Sequence, residues 1–200
     1  VADLTNPIVK TTFNITNPIV GDVLNFTGNL TDDTGLSTAN ITYNISGILT
    51  KINFTLSGTS AQISNKTALT IVGVFNFTMY ATDTSNNVKQ NSTLVIVTDA
   101  TNPVVNTTFN TTSFFVNQVI NFTGNATDET ALSSGNITYN LSGVLTKINF
   151  SLSGTSAQMS NKTRLSSAGV FNFTMFATDN SGNVKQNSTL ITVTQTSINS

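Results

Sequence analysis

An all-β chain of two tandem Greek-key β-sandwiches without disulfides is predicted by three observations: alternation of apolar and polar residues at a period of two, a gapless internal repeat, and turn residues at regular intervals. Residues 1–96 align with 97–192 with 29 differences, leaving 67 identities. The repeat divides the chain into domains at 1–98 and 99–200, and near-identical neighbours of this size point to an array of beads. Divergence clusters at Ile15 to Asp22 (Thr111 to Gln118 in the second copy) and at Ala68 to Val72 (Arg164 to Ala168), which read as loop or edge segments.

Within the first repeat, Phe26 and Leu30 oppose Val23, Asn25 and Thr27 across one strand. Ile41, Tyr43 and Ile45 alternate with polar residues, as do Ile52, Phe54 and Leu56, then Phe75, Phe77 and Met79. Leu94-Val95-Ile96-Val97 reads as a more buried strand. Gly, Asn, Ser and Asp punctuate these runs at Asp32 to Ser37, Ser57 to Ser60 and Asp83 to Asn87, and no helical stripe competes with them. Seven or so short strands in each repeat match a Greek-key sandwich, and the inward Phe, Ile, Leu and Val suffice for one small core per repeat.

The feature that bears most on role is the sequon, Asn-x-Ser/Thr, the acceptor for N-linked sugar in a secreted chain. Nineteen are present. In the first repeat they begin at Asn14, Asn25, Asn29, Asn40, Asn44, Asn53, Asn65, Asn76 and Asn91. They recur 96 positions on at Asn110, Asn121, Asn125, Asn136, Asn140, Asn149, Asn161, Asn172 and Asn187, with Asn106 in addition. Random placement of the chain's Asn, Ser and Thr would give roughly 7. Strand alternation also writes N-x-T wherever an exposed face is built of Asn and Thr, so the two explanations coexist, and alternation is expected to aim every sequon at solvent. Only 8% of residues are charged, which leaves flat uncharged β surfaces prone to association, and sugar would relieve that.

Composition excludes much else. A net charge of −1 offers no basic field for nucleic acid, and no run is long enough to span a membrane. There is no Cys, His or Trp, so thiol nucleophiles and His-based triads are absent and no catalytic residue is predicted. Sequons without cysteine suggest an archaeal or bacterial surface protein. No metal or cofactor is expected beyond N-linked glycans, with Ca2+ the one metal the acids could suit. Its candidate ligands are Asp32-Asp33 with Asp83, Asp128-Glu129 with Asp179, and the linker acids Asp3 and Asp99. Asp at turns more commonly bonds its own backbone.

Gly73 to Asn87, including Ala81-Thr82-Asp83 and Ser85-Asn86-Asn87, resembles the penultimate strand and following turn of HYR-type and bacterial or archaeal Ig-like surface repeats. Ala177-Thr178-Asp179-Asn180-Ser181-Gly182-Asn183 is closer still, and Asp99-Ala100-Thr101-Asn102-Pro103 and Asp3-Leu4-Thr5-Asn6-Pro7 are similar to the linkers of those families. The resemblance covers about a third of each repeat. It implies Ig-like sandwiches in a surface array, with Phe75 and Phe171 where antibody domains carry the corner tyrosine.

The expected function is a non-enzymatic extracellular structural protein: a heavily N-glycosylated bead of a surface filament, stalk or cell-surface layer. Its expected partners are copies of itself end to end, joined by strand donation from residues 1–9 or 195–200, with no nucleic acid. Val1-Ala2-Asp3 aligns with Val97-Thr98-Asp99, as if another bead preceded it. The alternative is an adhesin or carbohydrate-binding module on a repeat-array stalk, whose binding loop would be Ile15 to Asp22 or its counterpart.

Overall fold

The computed structural model describes residues 3–45, 47–141, 143 and 145–195. Two compact units emerge, Val1–Asp99 and Ala100–Ser200, and no helix occurs among the described residues. The first contains β1 (Ile8–Phe13), β2 (Val23–Thr31), β3 (Leu36–Ile45), β4 (Ile48–Thr55), β5 (Ser60–Ala68), β6 (Gly73–Asp83) and β7 (Val88–Val97). The second contains β8 (Val104–Phe109), β9 (Phe114–Phe115), β10 (Val119–Thr127), β11 (Leu132–Asn140), β12 (Leu145–Ser151), β13 (Ser156–Arg164), β14 (Gly169–Asp179) and β15 (Val184–Thr194).

Each unit is a sandwich of two sheets. In the first, β1-β2-β5 faces β4-β3-β6-β7; in the second, β8-β10-β13 faces β12-β11-β14-β15-β9. The fourth long strand pairs with the third, so apart from the two-residue β9 the strands split three and four, where an immunoglobulin constant domain places four and three. The period-two residues fill the space between sheets: Leu24, Phe26 and Leu30 of β2 meet Ile41 and Tyr43 of β3 and Phe77 and Met79 of β6. At the centre Phe77 stacks on Tyr43 with ring centroids 5.2 Å apart, while Phe26 lies 5.0 Å from Phe77 and edge-on to Tyr43 at 5.3 Å. Phe173, Tyr139 and Phe122 repeat the arrangement.

The stretch Leu94 to Val97 departs from expectation. Val95 and Val97 are buried, but Leu94 is 66% and Ile96 61% exposed. Strand β7 is an edge strand with one covered face, so its run of four apolar residues is an ordinary alternation whose outward half is apolar. The divergent segment behaves as an edge. In the first unit Ile19 forms a parallel bridge to Thr98, and in the second β9 pairs in parallel with β15. Phe114, at the position of Pro18, adds a ring 5.6 Å from Phe109, which anchors the longer pairing.

The turn that follows β6 and β14 explains part of the sequence signature. Asp83 Oδ1 accepts from the backbone N–H groups of Ser85 and Asn87, and Oδ2 accepts from Asn87 Nδ2. This loop requires a left-handed residue, supplied by Asn86 at φ 70° and by Gly182 at φ 89°.

One pair of core substitutions between the copies is coupled. Ala39 and Ile63 of the first unit correspond to Gly135 and Met159 of the second. A Cβ on Gly135 would meet the Met159 sulfur and would stand 2.8 Å from the backbone oxygen of Phe176. The longer methionine therefore occupies space that the missing methyl leaves. Gly135→Ala should destabilise the second unit by about 1–3 kcal/mol through overpacking. Adding Met159→Ile, which recreates the first unit's pair, should recover most of that loss in calorimetric melting. Additive losses in the double variant would show the two sites to be uncoupled.

Candidate glycan-acceptor surface and acidic clusters

None of the nineteen sequon asparagines is buried, but the strands sort them. Asn14, Asn25, Asn29, Asn44, Asn53, Asn76, Asn106, Asn110, Asn121, Asn125, Asn140, Asn149 and Asn172 are exposed. Asn40, Asn65, Asn91, Asn136, Asn161 and Asn187 are half-buried.

Four of the half-buried residues lie on the inward parity of their strands, contrary to the expectation that alternation aims every sequon at solvent. Asn65 shares a face with buried Ile63, and Asn91 shares one with buried Val95 and Val97; Asn161 and Asn187 repeat these places. These inward positions are only half-buried, and a polar residue can sit there if its amide is used. Asn91 Nδ2 donates to the Val9 carbonyl at 3.2 Å and Asn187 Nδ2 to the Val105 carbonyl at 2.8 Å, each crossing to the opposite sheet. Asn65 and Asn161 point Nδ2 at the hydroxyls of Tyr43 and Tyr139, both at 3.4 Å. Nδ2 is the atom that a glycan replaces a hydrogen on, so these amides already have structural employment.

Asn40 and Asn136 point outward from central strands, and each has an Oδ1 that is buried without a hydrogen bond. Asn40 is flanked across the sheet by Asn53 and Tyr80, and Asn136 by Asn149 and Phe176. Asn14 continues the β1–β2 ladder with its side chain: Oδ1 accepts from the Asn25 N–H at 2.7 Å while Nδ2 donates to the Val23 carbonyl. Asn110 accepts from the Asn121 N–H in the same way.

The remaining exposed asparagines stand on outward faces with an unexpected set of neighbours. In the larger sheet, Asn44 lies directly across from Leu49 and Asn76 from Leu94. In the second unit Asn140 faces Leu145 and Asn172 faces Leu190. These leucines are 67%, 66%, 67% and 71% exposed, in that order, among the most exposed large apolar side chains described. The cross-strand register that pairs these sequons with leucine is set by the hairpins and is visible only in the fold.

The acids divide otherwise than expected. Asp3, Asp32 and Asp83 each bring a carboxylate oxygen within 4.8 Å of the others in the first unit, whereas Asp33 is exposed and outside the group. Carboxylate oxygens of Asp128 and Asp179 lie equally close in the second unit, and Glu129 is exposed and outside it. The Thr34 hydroxyl, at 2.6 Å, and the Thr5 backbone N–H hold Asp3 below the ordinary carboxylate pKa. The Gly35 N–H does the same for Asp32, against the opposing push of burial and, less, of the Asp3 charge. The predicted donor segments fall partly outside the described residues, at 1–2 and 196–200, and Ile8 and Val9 are engaged in β1 opposite Thr31 and Leu30.

Among solved structures, a tetra-tandem repeat from the extending region of a large adhesion protein is similar over 94% of this chain, with a TM-score of 0.55 and 18% identity. The chain spans half of that protein's length. Fibronectin(III)-like modules of Clostridium thermocellum CbhA align over 96% of this chain and 97% of theirs, at 15% identity and a TM-score of 0.38. The titin domains z1z2 align over 97% of this chain and all of theirs, at 14% identity and a TM-score of 0.43. At these identities the likeness is one of fold, and the adhesion-protein repeat is the comparison that carries it. No family model matches the chain, and no curated protein matches its sequence. No helix among the described residues is long and apolar enough to cross a membrane.

The sorting of the asparagines is open to a stability test. Asn187→Ala removes a cross-sheet hydrogen bond and should cost about 1 kcal/mol. Asn149→Ala, on an exposed outer face, should stay within about 0.5 kcal/mol of the parent. Equal losses in thermal unfolding would remove the distinction between structural and free amides.

Proposed function

We propose that the chain is a non-enzymatic, N-glycosylated spacer in an extracellular or cell-surface array, with its sugar carried on the outward faces of the two sandwiches. The observation that carries this reading is the set of four exposed leucines, each paired across the strand with a sequon asparagine. A leucine on an uncharged sheet face is an association hazard. A glycan on the opposing asparagine would cover it without altering the strand. The repeat architecture and the likeness to a tandem repeat in an extending region support the spacer role and the Ig-like surface-repeat resemblance.

The mechanism is mechanical. Each sandwich adds length, Pro7 and Pro103 restrict the backbone just before β1 and β8, and sugar separates one sheet face from the next. Assembly of copies end to end is part of the proposal. The four outer strands of the first unit, β1, β4, β5 and β7, leave backbone edges on which a strand from a neighbouring copy can pair.

Intact mass and peptide mapping of the native protein test the reading. The expected result is a large heterogeneous excess over the 21.2 kDa polypeptide. Occupancy should concentrate at Asn25, Asn29, Asn44, Asn53 and Asn76 and their second-unit counterparts, and be lowest at Asn65, Asn91, Asn161 and Asn187. A mass equal to the bare chain would end the proposal. Enzymatic or chemical removal of the sugar should raise self-association in light scattering, and Leu94→Thr with Leu190→Thr should suppress that rise.

A further inference from the structure

A second site, unrelated to sugar, is built at one end of each sandwich from clustered carboxylates, half-buried at Asp3 and Asp32 and buried at Asp83, Asp128 and Asp179. Like charges with oxygens within 4.8 Å repel one another, and a buried carboxylate oxygen is costly unless it is hydrogen-bonded, paired or bound to a metal. Hydrogen bonds satisfy part of each group. Asp83 and Asp179 spend both oxygens on their own turns. Asp32 Oδ1 accepts from Thr34 and Gly35, and Asp128 Oδ1 accepts from the Thr130 N–H and hydroxyl. The other oxygen of each, Asp32 Oδ2 and Asp128 Oδ2, is buried and takes no hydrogen bond. Asp128 as a whole is only 8% exposed, beside Asp179 at 2%. The same orphaned oxygen at the same place in both units is not an accident of one loop.

We propose that each cluster binds one calcium ion: Asp3, Asp32 and Asp83 supply carboxylate oxygens in the first unit, and Asp128 and Asp179 do so in the second, with Asp32 Oδ2 and Asp128 Oδ2 as ligands. Two oxygens on one Ca2+ at 2.3–2.6 Å stand at most about 5 Å apart, and the clustered oxygens lie within 4.8 Å of one another. Asp99 occupies the sequence position of Asp3 in the second repeat and is buried, whereas Asp3 is half-buried. The ion would tie the turn after β2 to the turn after β6, and in the first unit both to the segment that leads into β1.

The experiment compares the full chain, stripped with EGTA, in 10 mM CaCl2 and in sodium chloride of matched ionic strength. Calcium should raise the melting temperature by about 5 °C, the scale expected for a weak extracellular site well above its dissociation constant. Asp32→Asn with Asp128→Asn keeps the Oδ1 acceptors and replaces the orphaned oxygens. That variant should fold without calcium and show no rise on its addition. Asp33→Asn with Glu129→Gln, which alters the exposed neighbours outside the clusters, should keep the full rise. The same rise in the Asp32/Asp128 variant, or loss of it in the Asp33/Glu129 variant, would overturn the assignment. Equilibrium dialysis of the unaltered chain needs no variant, and no bound calcium at 10 mM would also overturn it.

Discussion

The contact on which each sandwich depends is the stack of Phe77 on Tyr43, closed by Phe26 from the facing sheet, and its counterpart of Phe173, Tyr139 and Phe122. With no disulfide between the sheets, these rings supply the specific cross-sheet geometry, and aromatic pairs of this kind add about 0.5–1.5 kcal/mol each beyond their buried area. Their placement fixes the phase of three strands at once. Once Phe26, Tyr43 and Phe77 point inward, Asn25, Asn44 and Asn76, each one residue away, must point outward. The outward row of asparagines is thus a consequence of the core, written one position out of step with it.

The same phase explains where polar residues serve the fold. Along β7 and β15 the inward positions before Val95 and Ile191 are only half-buried, at the rim rather than in the core. Asn91 and Asn187 sit there and donate to carbonyls of the opposite sheet, which closes part of the gap left where β1 and β7, or β8 and β15, are not paired. At the other extreme, the buried Asp83 and Asp179 are tolerated because each folds a turn around itself and accepts three hydrogen bonds. Charge is scarce in this chain, and where it is buried it is concentrated at the turns of one end.

Much of this was legible in the residues. The period of two, the gapless repeat and the turn at Asp83 to Asn87 are local signals, and the all-β sandwich follows from them. Three things were not legible. Leu94-Val95-Ile96-Val97 carries no mark of which face is covered, because a four-residue apolar run reads alike in a buried strand and in an edge strand with an apolar outer face. The inward sequons look like the outward ones, since parity depends on where a strand's core contacts begin. Asp3 joins Asp32 and Asp83 in place of Asp33 because the chain before β1 folds back: Asn87 Nδ2 donates to the Asp3 carbonyl across 84 residues of sequence. No spacing rule within a single segment contains that contact.

The differences between the two copies bear on whether the outward asparagines are mere strand filler. For Asn14, Asn65 and Asn91 the fold itself accounts for the residue, because each amide makes a hydrogen bond that the strands need. Asn25, Asn44, Asn53 and Asn76 make no such bond among those described, and Thr or Ser would serve a solvent-facing strand position as well. Yet all nine asparagines persist while 29 of 96 aligned positions differ. Within the sequons the middle residue changes freely: Ile15 to Thr111, Leu30 to Ala126, Ile45 to Leu141. The third residue changes only from Thr55 to Ser151, a swap that preserves the hydroxyl. Where the second copy replaces Lys10 by Asn106, a further sequon arises on the outer face of β8. Strand alternation requires a polar residue at these places; it does not require that the asparagine and the hydroxyl two residues on be kept together. That pairing is what a glycan acceptor needs.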